Sequence, residues 1–200
     1  MRKLFLLLLI LIPAVSFAQR DFQGGLTAGI IGSQMSGDGL AGFDKVGFQA
    51  GAYISIPLGD RLAAQMEMYY IAKGSQRPQN SDDPTQDNFG YRFNYVEVPL
   101  LLDYETNLLN IEVGGYFGVL TSSKLIFNNL NFDITQPEPE KTDIGFVLGV
   151  KYDLTDKIGA SFRYSQSLVP VRDYVDSAVS PSFDGGMYHS VLHLVLRYRL

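Results

Sequence analysis

Apolar side chains recur at every second position in eight separate stretches of this chain. The last stretch shows it most plainly. Tyr188, Ser190, Leu192, Leu194, Leu196, Tyr198 and Leu200 form one set, and His189, Val191, His193, Val195, Arg197 and Arg199 form the other. A period of two belongs to β-strands. The same alternation predicts strands at 23–34, 45–56, 61–74, 91–103, 108–121, 142–153, 157–168 and 188–200. Each is about as long as the roughly ten residues that a tilted membrane-crossing strand requires.

The two sets differ in charge throughout. Leu26, Ala28 and Ile30, the Val46–Ile56 set, Met66 and Met68, Leu100 and Leu102, Phe117, Phe146, Phe162 and Leu194 carry none. The opposite sets hold Gln49, Gln65, Glu67, Glu97, Asp103, Glu112, Asp143, Lys151, Arg163, Arg197 and Arg199. A cation at the bilayer midplane of a lipid-facing wall costs roughly 2–4 kcal/mol, so this segregation points to lipid outside and charge inside. A secreted lipocalin-like barrel, the soluble alternative, shows the inverse. Connections alternate too. Residues 57–60, 104–107 and 154–156 are short turns, while 35–44, 75–90, 122–141 and 169–187 are long. Short periplasmic turns and long outer loops are the habit of outer-membrane barrels. Tyr104, Tyr152 and Tyr198 lie on the apolar set near the short-turn end, where an interfacial aromatic girdle belongs. The fold expected is all-β: an eight-stranded antiparallel up-and-down transmembrane β-barrel with both termini periplasmic.

The N-terminus agrees. Arg2 and Lys3 precede an apolar run from Leu4 to Ile12, and Ser16-Phe17-Ala18 supplies the small residues that a signal peptidase reads. Residues 1–18 are expected to be a cleaved signal peptide and 19–200 one barrel domain. The net charge of −5 becomes more acidic once Arg2 and Lys3 are removed, which argues against nucleic acid as a partner. Absence of cysteine excludes disulfides, thiolate metal sites and a lipoprotein anchor.

Candidate chemistry is sparse. A ring of eight strands has an interior just wide enough for side chains. Glu67 and Glu97 on the third and fourth strands are expected to face Arg163 and Arg197 on the seventh and eighth as a lumen charge network. Glu97 and Arg197 are its most central opposite charges. His189 and His193 share the inward side about 13 Å apart, too far for joint metal binding. Ser190 points away from His189, a poor nucleophile and base pair. A rim hydrolase would need His189 with Asp173, Asp176 or Asp184. Ser81-Asp82-Asp83-Pro84 and Asp87 lack the spacing of a calcium loop. No catalytic residue, metal or cofactor is assigned. Pro99 cannot donate to a ladder, so a bulge or missing bond is expected in the fourth strand. Aromatics in the long loops, Phe89, Phe132, Tyr174 and Phe183, are the candidate anchors for a protein partner.

Several stretches resemble the PorT-like outer-membrane β-barrel family over about residues 24–200. They are Gly25–Gly37, Gly47-Phe48-Gln49-Ala50-Gly51 with Ile56–Asp60, Tyr95-Val96-Glu97-Val98-Pro99-Leu100-Leu101, Leu148–Tyr152, Phe162-Arg163-Tyr164 and Leu196–Leu200. Leu200 stands where that family usually ends on Phe. The resemblance implies insertion by the barrel-assembly machinery, outer-membrane lipid around the wall, and a role associated with secretion or the envelope. It implies no catalytic residues. The function expected is a non-enzymatic integral barrel whose outer loops bind a partner or stabilise the envelope. The alternatives are an enzyme at the lipid or loop rim and a soluble ligand-binding barrel.

Overall fold

A computed structural model describes residues 22–40, 42–77, 87–128, 130–134, 138–173 and 186–200. The described residues form ten strands: β1 Gln23–Ser36, β2 Lys45–Pro57, β3 Leu62–Gln76, β4 Phe89–Glu105, β5 Asn110–Phe127, β6 Leu130–Asp133, β7 Thr142–Asp153, β8 Ile158–Ser167, β9 Arg172–Asp173 and β10 Gly186–Arg199. Eight of them make the wall in the order β1-β2-β3-β4-β5-β7-β8-β10, and β10 closes the ring on β1. Every pairing is antiparallel, and the closing seam runs from Gly25↔Arg199 to Ser36↔Tyr188. Closure removes the sheet's edges. β6 hangs on β5 and β9 on β10, outside the ring order. No helix among the described residues is long and apolar enough to cross a membrane, which says nothing about crossing by strands.

The start of β1 and the end of β10 meet at one rim, where the Leu200 N–H donates to the Gly24 carbonyl at 3.0 Å. The short turns after β2, β4 and β7 close this terminal rim, and the strands that flank the long connections end at the opposite, distal rim. The expected strands and their order are present. The eight wall strands begin and end near the expected limits, except that β4 and β5 run on: β5 reaches Phe127 where an end at 121 was expected.

The wall is inside out relative to a water-soluble protein. Ile30, Phe48, Met68, Leu100, Phe162 and Leu194 are each at least half exposed on the outer surface. Gln49, Glu67, Glu97, Glu112, Asp143 and Arg163 are buried inside. Each face follows from parity alone, because successive side chains of a strand point to opposite sides. Inward tyrosines fill space over glycines of adjacent strands. A Cβ at Gly145 would stand 2.4 Å from the Tyr116 ring, and one at Gly25 2.5 Å from the Tyr53 ring.

Pro99 acts as its chemistry requires. The β3–β4 pairing lapses between Met66↔Leu100 and Tyr69↔Glu97, so residues 67–68 and 98–99 make no pair. The register shift lies elsewhere, at Asn94/Tyr95, where β5 carries the extra residue Thr121. The Thr121 hydroxyl donates to the Asn94 carbonyl at 2.9 Å. That inserted residue reverses which parity of β5 faces inward.

Candidate functional site: a filled lumen under an apolar distal sheet

The lumen is built from parity-inward side chains stacked from the terminal rim upward. Nearest the rim, Arg197 lies 4.2 Å over the Tyr53 ring and donates to Gln65 and, at 3.1 Å, to Glu112. Lys151 pairs with Asp103 at 2.6 Å beside a polar cavity of about 200 Å³ at the rim.

Arg163 occupies the centre. Its Nε and Nη2 donate to Glu112 at 2.7 and 2.9 Å, and its Nη1 and Nη2 donate to Glu67 at 2.9 and 2.8 Å. One planar guanidinium thus binds two carboxylates from β5 and β3, a geometry that lysine's ammonium does not offer. Gln65 adds a bond to Glu67 at 2.5 Å. Above this layer His193 bridges Gln49 at 2.6 Å and Ser165 at 2.9 Å.

A second ionic layer follows. Lys73 donates to Glu97 at 2.5 Å and to Asp143 at 2.6 Å. Tyr116 donates to Asp143 at 3.2 Å and lies within 3.2 Å of the Ser167 hydroxyl. The distal end is closed by apolar packing of Ile31, Met35, Ile71, Phe93, Tyr95, Val171, Met187 and Val191. His189 sits against Phe93 at 5.3 Å and Tyr95 at 5.7 Å between ring centroids, fully buried, with no hydrogen bond at either ring nitrogen.

The four lumen residues named from sequence are all buried inside, but their pairing needs one correction. Glu67 meets Arg163 as expected from facing strands. Glu97 does not meet Arg197: its cation is Lys73 of the adjacent β3, and Arg197 goes to Glu112. Sequence reasoning missed Lys73. Its parity, shared with Gln65 and Glu67, was the available signal, and its place near the expected end of the third strand concealed it.

The β4–β5–β6 sheet reverses the polarity of the wall. Beyond Val119↔Thr142 β5 has no β7 partner and continues beside β4, to Phe89↔Phe127, then turns into β6. Outward positions become polar through Lys124, before Ile126: Asn94 donates to Ser122 at 2.7 Å, and Arg92 stands opposite Lys124. Residues directly paired across strands share a face. Phe89↔Phe127, Tyr91↔Leu125, Leu125↔Phe132 and Phe127↔Leu130 therefore put six apolar side chains on the side that faces the barrel mouth. Phe127, Leu130 and Phe132 are 40, 61 and 47% exposed. Phe89 and Tyr91 join edge to face at 5.2 Å, and Tyr91 stacks on Phe93 at 6.2 Å, so the aromatic row runs down into the plug. Arg172 of β9 lies 5.3 Å from the Tyr91 ring.

Two of the four expected anchors, Phe89 and Phe132, thus fall on one surface. Tyr174 and Phe183 lie outside the described residues, as do Asp176, Asp184 and the 81–84 run; of Asp173 only the backbone is described. Neither histidine reaches a carboxylate by hydrogen bond: His193 is held by Gln49 and Ser165, and His189 by aromatic rings. Among the described residues no group of three His, Cys, Asp or Glu side chains is placed to hold a metal ion.

Comparison with known proteins agrees with this geometry. The model of a family described as "Outer membrane protein beta-barrel domain" matches residues 17–173. Neisserial surface protein A superposes with a TM-score of 0.58 at 12% identity, covering 88% of this chain and 97% of that one. Ail, the attachment invasion locus protein of Yersinia pestis, superposes at 0.51 and 10% identity, covering 90% and 99%. At such identities the likeness is one of fold. No curated protein matches the sequence.

Proposed function

The chain belongs to the outer membrane protein beta-barrel domain family, and from that premise we propose that it is a non-enzymatic integral barrel whose distal surface recognises a partner outside the cell. The single observation that carries this is the inverted β4–β5–β6 sheet. A transmembrane wall needs turns of only a few residues, as at the terminal rim. Here β5 instead runs roughly 25 Å beyond its last β7 pair at strand rise, and presents Phe127, Leu130 and Phe132 to the aqueous side. Exposed aromatics on a rigid support are where recognition resides. The filled lumen favours this over transport, because Arg163, Lys73, Tyr95 and Phe93 occupy the axis.

In this reading the terminal rim is periplasmic, residues 1–18 are removed, and insertion proceeds through the barrel-assembly machinery. The narrower PorT-like affiliation, and with it a secretion-associated role, is supported by the Tyr95–Leu101 stretch. The Glu97 and Pro99 of that stretch have structural tasks here, in the Lys73 layer and in the lapse of the β3–β4 ladder.

Shortening tests the reading. Residues 122–141 are replaced by a two-residue Asn-Gly turn, and 75–90 and 169–187 likewise in separate variants. Each variant is expected to stay in the carbonate-washed outer membrane, with Gln19 as its first residue, and to keep its folded mobility on unheated gels. Loss of surface adhesion or partner capture is expected for the variant lacking 122–141. Full retention in all three variants would move the activity to the wall or lumen and defeat the proposal.

A further inference from the structure

β6 is unsatisfied in two ways at once. All four of its residues are exposed, and among the described residues it pairs with β5 alone. Asn128 at φ 49° makes the tight connection, with Phe127 opposite Leu130. In a two-residue hairpin the pair flanking the turn exchanges both of its main-chain hydrogen bonds. The Asn128 N–H donates to the Asn88 carbonyl at 2.8 Å, so the even positions here bond toward β4. By the same alternation Asn131 and Asp133 direct their main-chain N–H and C=O groups away from β5. The outer edge of β6 is therefore a row of main-chain donors and acceptors beside an apolar face.

We propose that β6 is a docking edge for an extended polypeptide segment of another protein, added as a further strand of the β4–β5–β6 sheet. The proposal deepens the recognition reading above and rests on it. A main-chain edge is matched at its own spacing by another main chain, and the side-chain face beside it sets specificity. The guest segment carries apolar residues at alternate positions, where they lie against Leu130 and Phe132; four residues of edge span about 13 Å. A second copy in the same membrane does not fit. Copies of equal polarity are related by rotation about the membrane normal, and a strand inclined at about 35–45° to that normal is not made antiparallel to itself by such a rotation. An edge with no partner strand among the described residues is a liability that proteins ordinarily blunt, and here it stands beside exposed apolar side chains.

The test uses the full mature barrel in phosphatidylcholine nanodiscs. The probe is a labelled six-residue peptide alternating threonine with leucine or phenylalanine, beside the same peptide N-methylated at alternate amides. Asn131→Pro removes one edge N–H and leaves the β5–β6 bonds in place. The wild-type barrel is expected to bind the plain probe and not the methylated one. Asn131→Pro is expected to weaken binding by about tenfold, the loss of roughly one main-chain hydrogen bond. Phe132→Ser, which spares the edge, should also weaken it. Equal binding by Asn131→Pro, or by the methylated probe, overturns the proposal. So does self-association by light scattering that Asn131→Pro abolishes while the peptide does not bind, since the occupant is then a second copy. If shortening 122–141 abolishes recognition while Asn131→Pro and Phe132→Ser leave it intact, strand addition falls and the recognition reading stands.

Discussion

Replacing Arg163 by Met is expected to destabilise the barrel by about 3–5 kcal/mol, because Glu67 and Glu112 are left as buried carboxylates short of a cation. Arg163 makes four hydrogen bonds to these two residues, and all three side chains are at most 2% exposed. Arg197 stays on Glu112 at 3.1 Å and softens the loss on that side only. Urea unfolding in lipid vesicles, followed by the gel shift of the folded barrel, measures the change. The companion Glu67→Met is expected to be costly as well, and the double variant to cost clearly less than the two singles together. The pair Glu97 and Arg197 supplies the contrast. Each belongs to a different ionic layer, so their substitutions should add within about 0.5 kcal/mol. A loss under about 1 kcal/mol for Arg163→Met would mean that water or lipid headgroups reach the centre of the lumen and screen the orphaned carboxylates.

That contrast marks where the sequence was legible. Side of the wall is a local property: Glu97 points inward because its neighbours Val96 and Val98 point outward, and parity needs no knowledge of any other strand. Height is not local. In a closed barrel the strands tilt and the register staggers from one to the next, so residues central in their own strands need not lie level. Glu97 is central in β4, whereas Arg197 lies two residues from the end of β10 at the terminal rim, and Glu97 meets Lys73 of the neighbouring strand instead. The stagger that decides this is a sum over all eight pairings, which no single alternating stretch reveals.

The distal sheet was half legible for a related reason. Phe89 and Phe132 stood out as aromatics in segments expected to be loops. Their shared face was hidden, because Thr121 is inserted at the bulge and shifts the parity of everything after it in β5. After it Ser122 and Lys124 point outward and Leu125 and Phe127 inward, the reverse of the wall, with Ser123 inward and Ile126 outward as the two exceptions. Read without the bulge, the same residues have no consistent face and look like a connection. Asn128 was the available signal, since asparagine tolerates the positive φ that it adopts at this hairpin.

Leu194→Arg is expected to weaken folding into bilayers by roughly 2–4 kcal/mol, the cost of a cation on the lipid face near the midplane. Leu194 is 52% exposed on the outer surface, between Ile30 of β1 and Phe162 of β8, while the adjacent Val195 is fully buried. The closing seam runs through this site, so a substitution that disturbs it also slows completion of the ring. Depth provides the control. Leu200→Arg lies at the terminal rim, where a cation reaches the interface and costs about 0–1 kcal/mol. Spin labels give a second readout independent of stability. A label at position 194 should be quenched by lipid-soluble oxygen, whereas one at 195 should be shielded from it. The reverse pattern would displace the register by one residue and turn every facing in the barrel inside out, lumen charges included. Equal and small costs at 194 and 200 would instead mean that the apolar belt is not held in a bilayer, and with it would go the transmembrane reading of the fold.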